Sequence, residues 1–240
     1  MVSQHIIDDV ARRIAGDIVW SNDVSMGLKK WREIFGASKG DIAKLMGVSQ
    51  SVISDYEKGR RSPGAKFVKR YVESLIRFDA MRSYQTVKNL ARSFSLNIEA
   101  ILDSREFEVP MGIDTLVTRV KGILLNATYK HRELYGYTII DSIKAISSLS
   151  GNEFWQIMGM TSERALIFTK VTTGRSPMIA IRVAPIKPAS VVLHGTKRVD
   201  PLAIYLAEAE GIPLILSTAE SVEEIINSLR SYAQYSYQLY

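Results

Sequence analysis

The side chains best suited to recognition chemistry fall in one stretch, KGDIAKLMGVSQSVISDYEKGRRSP, residues 39–63. Gln50, Ser51, Ser54 and Asp55 are short polar groups whose spacing puts them on one face of a helix. A glutamine amide donates and accepts at once, which matches the N6/N7 edge of adenine, and an aspartate accepts from cytosine N4. Asp55 would also repel a misplaced phosphate. Lys39, Lys58, Arg60 and Arg61 are cations of the kind that hold phosphate oxygens. The hydroxyls of Ser38 and Ser49 can donate to the same oxygens, or simply cap helices. The chemistry implied is reading a polyanion, with no bond made or broken.

A second set lies further along. Thr173, Arg175 and Ser176 belong to the loop TTGRSP, and His194 and Lys197 to LHGTK. Hydroxyls, a flexible glycine and a guanidinium suit a small anionic effector. The simpler reading is a hairpin turn and a strand-to-helix connection. No other constellation suggests catalysis. There is no phosphate-binding P-loop and no Gly-x-Ser-x-Gly elbow, so an enzyme is not expected. The chain has no cysteine, and its three histidines, His5, His131 and His194, are far apart. Neither a metal nor a cofactor is expected.

Local signals place these residues on elements. Ile6, Ile7, Val10, Ile14 and Ile18 form the stripe of an amphipathic helix over 4–19. A second helix over 24–35 turns Leu28, Trp31, Ile34 and Phe35 inward. Ser38 then caps a third helix, with Asp41 three residues on as a partial capping-box partner. Ile42, Ala43, Leu45 and Met46 are its apolar residues, and Ala43 is small enough for a close crossing. Gly47 ends it at a sharp turn. Ser49 opens a fourth helix, which Ile53 and Tyr56 anchor to the core and Gly59 stops. Pro63 is expected at the first position of a fifth, with Phe67, Val68, Tyr71, Val72 and Leu75 inside. A last helix spans about 80–95, and residues 98–102 are read as a further turn.

The run LKKWREIFGASKGDIAKLMGVSQSVISDYEKGRRSP resembles the lambda-repressor or Cro-type (XRE-like) helix-turn-helix family, in Ser38, Ala43, Gly47, Val48, Ser49, Tyr56, Glu57, Lys58, Gly59, Arg60, Arg61 and Pro63. The resemblance covers about 50 residues within a unit at 24–78. It implies binding of double-stranded DNA by a homodimer, with a recognition helix at about 49–58 in the major groove. Gln50, Ser51, Ser54 and Asp55 would then touch bases, and Ser38, Lys39, Ser49, Lys58, Arg60 and Arg61 the backbone. The whole chain is similar to archaeal regulators that join this motif to an α/β domain of unassigned role, through YGYTIIDSIKAI, ERALIFTKVTTGRSPMIAIRV and SVVLHG. That likeness implies a transcriptional regulator, with repression the commoner outcome. The segment SVVLHGTKRVDPLAIYLAEAEGIPLILS is also similar to small α/β regulatory domains that accompany kinases and phosphotransacetylases. An enzyme with a DNA-binding appendage, and an antitoxin or coactivator, stay open as alternatives.

Charge agrees with that division. Of 31 basic and 25 acidic residues, residues 1–105 hold 18 and 12, and residues 106–240 hold 13 of each. Residues 29–70 alone hold 11 basic and 4 acidic side chains. A basic half joined to a neutral half points to one unit that meets a polyanion. The expected fold is α+β in two domains: an all-α domain at 1–105 and an α/β domain with a mixed sheet at 106–240. Residues 103–112, with Pro110 and Gly112, are read as the linker. Asp114 is expected to cap a helix reaching about Asn126. Tyr137–Ile140, Ala165–Val171, Met178–Val183, Val191–Leu193 and Leu214–Leu216 are expected strands, the second and third joined as a hairpin by TTGRSP. Asp141 reads as a helix cap. A helix at 200–210 makes a parallel strand-helix-strand unit, and a C-terminal helix starts at Ser221. The tyrosine-rich tail YAQYSYQLY has no assigned role beyond a candidate interface. No apolar run spans a bilayer and no signal peptide is visible, so a cytoplasmic protein is expected.

Overall fold

Branched apolar residues spaced three and four apart wind Gln4–Trp20 into α1, which buries Val10, Ile14 and Ile18 completely. The computed structural model describes residues 2, 4–94, 100–126, 132–149, 151, 154, 157 and 163–235. The chain divides into two compact units, Met1–Asn97 and Ile98–Tyr240. Among the described residues there are eleven helices and one six-stranded sheet. No described helix is long and apolar enough to cross a membrane. His131 and residues 98 and 99 of the expected turn lie outside the described residues, as does the end of the tyrosine tail.

The first unit is all helix: α1, then α2 (Val24–Ile34), α3 (Lys39–Met46), α4 (Gln50–Glu57), α5 (Ala65–Ala80) and α6 (Gln85–Ser93). Its core joins Ile14 and Ile18 to Leu28, Phe35, Ile42, Ile53, Tyr71 and Leu75. Two details differ from expectation. Gly64 is the N-cap of α5, so Pro63 precedes the helix instead of opening it. Ile34, read as an inward residue, is exposed, while its neighbours Trp31 and Phe35 are buried. Asp79, at the end of α5, accepts the backbone N–H groups of Thr86 and Val87 and so caps α6 from outside it.

The second unit is a layered α/β structure. In chain order it runs β1 (Ile101–Gly112), α7 (Ile113–Arg119), β2 (Gly122–Leu124), β3 (Glu133–Asp141), α8 (Ser142–Ser148), β4 (Arg164–Thr169), α9 (Arg175–Val183), β5 (Ser190–His194), α10 (Pro201–Ala209), β6 (Leu214–Ser217) and α11 (Val222–Tyr235). The sheet order is β1-β3-β4-β5-β6-β2. The four central strands pair parallel, and β1 and β2 add antiparallel edges. Helices α8, α9 and α10 pack on one face, over Phe168, Leu193 and Leu214. Helices α7 and α11 pack on the other, over Ile139, Ile167, Val192 and Ile215.

Three sequence readings give way here. Residues 103–112 are edge strand β1, not a linker, and the units divide before it. Pro110 is tolerated because it sits at the sheet edge, inside the register break between Glu106 and Met111. Met178–Val183 is helix α9, not a strand, so TTGRSP turns β4 into a helix and no hairpin forms. Parallel β4 and β5 need a crossover, and α9 supplies it while burying Met178 and Ile181. The helix expected to reach Asn126 stops at Arg119; Lys121 takes a positive φ and Gly122 begins β2. Gly112 is its N-cap, and Asp114 only joins its first turn.

An ion pair ties the C-terminal helix to that edge strand. Asp103 accepts from both Nε and Nη2 of Arg230 at 3.0 and 2.9 Å, and from the Tyr137 hydroxyl at 2.6 Å. Burial alone raises the Asp103 carboxyl's pKa, but these hydrogen bonds and the Arg230 charge outweigh it, so the pKa lies below the usual carboxylate value. A depressed native pKa adds stability above the unfolded pKa and loses it as the pH falls. We therefore expect Arg230→Ala to cost about 1–3 kcal/mol at pH 7. The gap from wild type should narrow at pH 3 in denaturant titrations. A gap independent of pH would contradict this assignment.

Candidate nucleic-acid interface

Helices α3 and α4 form the helix-turn-helix, and local chemistry fixes both ends of its turn. Ser38 Oγ accepts the Asp41 N–H at 3.1 Å, and Asp41 Oδ2 accepts the Ser38 N–H at 2.8 Å, a complete capping box. Ser38 Oγ also donates to Asp41 at 2.6 Å. These bonds hold the Asp41 carboxyl below its usual pKa. Gly47 takes φ +65° and closes α3, with the Val48 N–H returning to the Ala43 carbonyl at 3.0 Å. Arg70 of α5 donates to the freed Met46 carbonyl at 2.7 Å.

Helix α4 is held from inside by groups that composition and spacing did not single out. Arg32 of α2 grips Glu57 through a two-pronged contact, Nε to Oε1 at 2.6 Å and Nη2 to Oε2 at 2.9 Å. Its third arm donates to the Ala37 carbonyl at 3.0 Å. The Tyr71 hydroxyl lies 3.1 Å from Glu57 Oε1 and from the Leu28 carbonyl. Both charges are buried, Arg32 at 8% and Glu57 at 5% exposure. The Glu57 hydrogen bond raises the Arg32 pKa, and burial, then the Glu57 charge, raises that of Tyr71. Glu57 was visible in the sequence only as a matched motif position. An arginine 25 residues upstream carries no sign of being its partner. Tyr56 closes the same side by stacking on Phe67, with ring centroids 3.7 Å apart.

The outer face of α4 carries the residues expected to read bases. Gln50 and Ser51 are exposed, while Ser54 and Asp55 are half-buried. Ser51 Oγ hydrogen-bonds Ser49 Oγ at 2.8 Å, so Ser49 occupies the N-cap position without its side chain capping. Asp55 lies 3.4 Å from Arg60 and 3.8 Å from Arg61, so it is the counter-charge of both. Lys58, Arg60 and Arg61 are exposed just beyond the helix. Lys39 turns inward, its Nζ 3.8 Å from Glu57 Oε2, and the Ser38 hydroxyl is spent in the cap. The structure thus groups Gln50, Ser51, Ser54, Asp55, Lys58, Arg60 and Arg61 on one surface and draws Lys39 toward the buried pair.

The second expected set lies on two neighbouring loops: the Val171 N–H donates to the His194 carbonyl at 3.1 Å, and the Asp200 N–H to the Thr173 carbonyl at 2.9 Å. Arg175 pairs with Asp200 at 2.7 Å at the start of α10, while Ser176 lines a cleft between α8 and α9. Leu193 belongs to the core under α8–α10, so the next residue, His194, faces the α7 and α11 side, where Glu223 and Glu224 act on its charge. Burial lowers the His194 pKa. No group of three or more metal-ligating side chains occurs among the described residues.

Breaking a buried pair from one side leaves an uncompensated charge, at a cost of about 3–5 kcal/mol. Glu57→Ala should lose that much in urea titrations, and the double variant Arg32→Met/Glu57→Leu should recover most of it. If the double variant were as unstable as the single one, the penalty would lie in packing instead.

Comparison with known proteins agrees with this geometry. Residues 28–75 match the helix-turn-helix family HTH_3. A protein of Archaeoglobus fulgidus, named as an uncharacterized HTH-type transcriptional regulator, is 46% identical over 92% of this chain and 96% of its own length. A Methanocaldococcus jannaschii protein with the same description is 43% identical over 91% of this chain and 93% of its own. No solved structure matches the chain at a significant level. The two relatives run through both units at high identity, and the chain therefore belongs to the family of helix-turn-helix transcriptional regulators, whose helix-turn-helix is a DNA-binding element.

Proposed function

We propose that the protein is a sequence-specific transcription factor, a repressor, that binds double-stranded DNA as a homodimer with α4 in the major groove. The observation that carries this reading is the outer face of α4, where exposed Gln50 and Ser51 and half-buried Ser54 and Asp55 share one side of a rigidly held helix. Gln50 reads adenine through its amide. Lys58, Arg60 and Arg61 hold phosphates, as the basic surplus of this half of the chain supports. Asp55 restrains Arg60 and Arg61, so both approach the backbone only in the register that satisfies all three.

One helix-turn-helix reads a short half-site, and two copies reading a palindrome give useful discrimination. Seated on a promoter, such a dimer excludes the polymerase by volume, hence repression. The second unit would serve as the effector or dimerisation domain.

Gel shifts on the protein's own promoter test the reading across a salt series. Lys58→Ala and Arg60→Ala should each weaken binding on all sequences and flatten the salt slope by about one counterion. Gln50→Ala should remove about 1–3 kcal/mol of discrimination at one base pair and leave non-specific binding unchanged. Asp55→Asn should tighten non-specific binding and shrink the ratio of specific to non-specific affinity. A wild-type protein with no preference for any operator, or variants that behave like wild type, would overturn the proposal.

A further inference from the structure

Helices α8 and α9 leave a cleft of about 240 Å³ between them. Its walls are almost wholly apolar, with Ile146, Leu149, Phe154, Phe168 and Ala180 prominent. Two hydroxyl-bearing residues, Ser142 and Ser176, also line it. Ser142 is the first residue of α8 and is 8% exposed, and its Oγ is enclosed with no hydrogen-bond partner. A buried hydroxyl is almost always paired, because leaving it unpaired costs about 1–3 kcal/mol. Its neighbour Asp141 does not satisfy it: that carboxylate accepts the Ile143 and Lys144 N–H groups and the Lys170 ammonium. Ser176 and Pro177 lie in the first turn of α9, whose N-cap Gly174 contributes no side chain to the helix end. Gly174 sits at φ +78°, where an added Cβ would meet Leu193 Cδ1 at 2.4 Å. The bare helix terminus is thus imposed by close packing, and its N–H dipoles favour an anion.

We infer that this cleft binds a small organic acid with an apolar body, the carboxylate turned toward Ser142 and the N-terminus of α9. A cavity of about 150 Å³ takes benzene, so this one suits roughly ten heavy atoms. The inference rests on reading the second unit as an effector domain, and it names the site and ligand class of that domain. It also departs from the set expected in the sequence: of Thr173, Arg175, Ser176, His194 and Lys197, only Ser176 lines the cleft.

Isothermal calorimetry on the full-length protein tests it, with phenylacetate as the probe and 2-phenylethanol and acetate as the uncharged and truncated comparisons. Phenylacetate should bind saturably at one site per chain. 2-Phenylethanol should bind about tenfold more weakly, and acetate should not bind measurably. Ser142→Ala should weaken phenylacetate about fivefold or more. Ala180→Phe, which fills the cleft, should abolish binding. Both variants should keep the wild-type gel shift on DNA without phenylacetate. The inference is overturned if phenylacetate shows no saturable binding or binds Ala180→Phe as it binds wild type. It is also overturned if Ala180→Phe changes the sedimenting mass while phenylacetate binds neither protein, which would place the cleft in a subunit interface. A wild-type protein that binds phenylacetate but shifts no DNA would sink the regulator reading and leave this one standing.

Discussion

The buried pair between Arg32 and Glu57 is the contact on which the placement of α4 depends. Glu57 ends α4 on its inner side, and Arg32 reaches it from α2 while also holding the Ala37 carbonyl at the entry to α3. Tyr71 joins from α5. One side-chain network therefore spans α2, α4, α5 and the turn before α3. A purely apolar contact there would tolerate rotation of α4, since dispersion has little direction. A two-pronged guanidinium–carboxylate contact does not, and a rotation of α4 would move Gln50 and Ser54 off the outer face they share. The cost of burying two charges is met by geometry, because each has hydrogen-bonding partners besides the other.

The second unit solves a different problem. Its four central strands follow one another in sheet order, and the described crossover helices α8, α9 and α10 pack on one face. Ligands in open α/β sheets gather where strand order reverses, and this central run has no such point. The loops that carry His194 and Arg175 meet at the carboxyl ends of β4 and β5, but Arg175 pairs with Asp200 while Glu223 and Glu224 act on His194. Space opens instead between neighbouring crossover helices, where α9 is short and Gly174 brings its start hard against Leu193. On the other face, Arg230 and Asp103 fasten α11 to the edge strand, and Arg119 adds a contact of 2.8 Å to Ser231.

Legibility differed between the two units for a physical reason. The first unit is governed by signals within a few residues of each other. The Ser38–Asp41 box, Gly47 at positive φ and the stripes of α1 and α5 declare helices without knowledge of the rest. The second is governed by partners far along the chain. Met178–Val183 is a short apolar run that a strand or a helix can use equally well, and only the parallel pairing of β4 with β5 decides it. Pro110 looks like a linker residue until it is known to lie at a sheet edge beside a register break. Residues 122–124 look helical until β6 stands beside them.

By itself the sequence determined the helix-turn-helix, the exposed face of α4, the confinement of basic charge to the first half, and a mixed α/β second unit. Each follows from residue type and spacing over about four to eight positions, the range over which caps and helical periodicity act. The tertiary structure decided that Glu57 is the buried anchor of α4, that Asp55 is tied to Arg60 and Arg61, and that Lys39 turns inward. It also decided which apolar runs are strands and that a cleft opens beside Ser142. These depend on which distant segments meet, and pairing across 25 or more residues leaves no periodic mark on the chain that makes it.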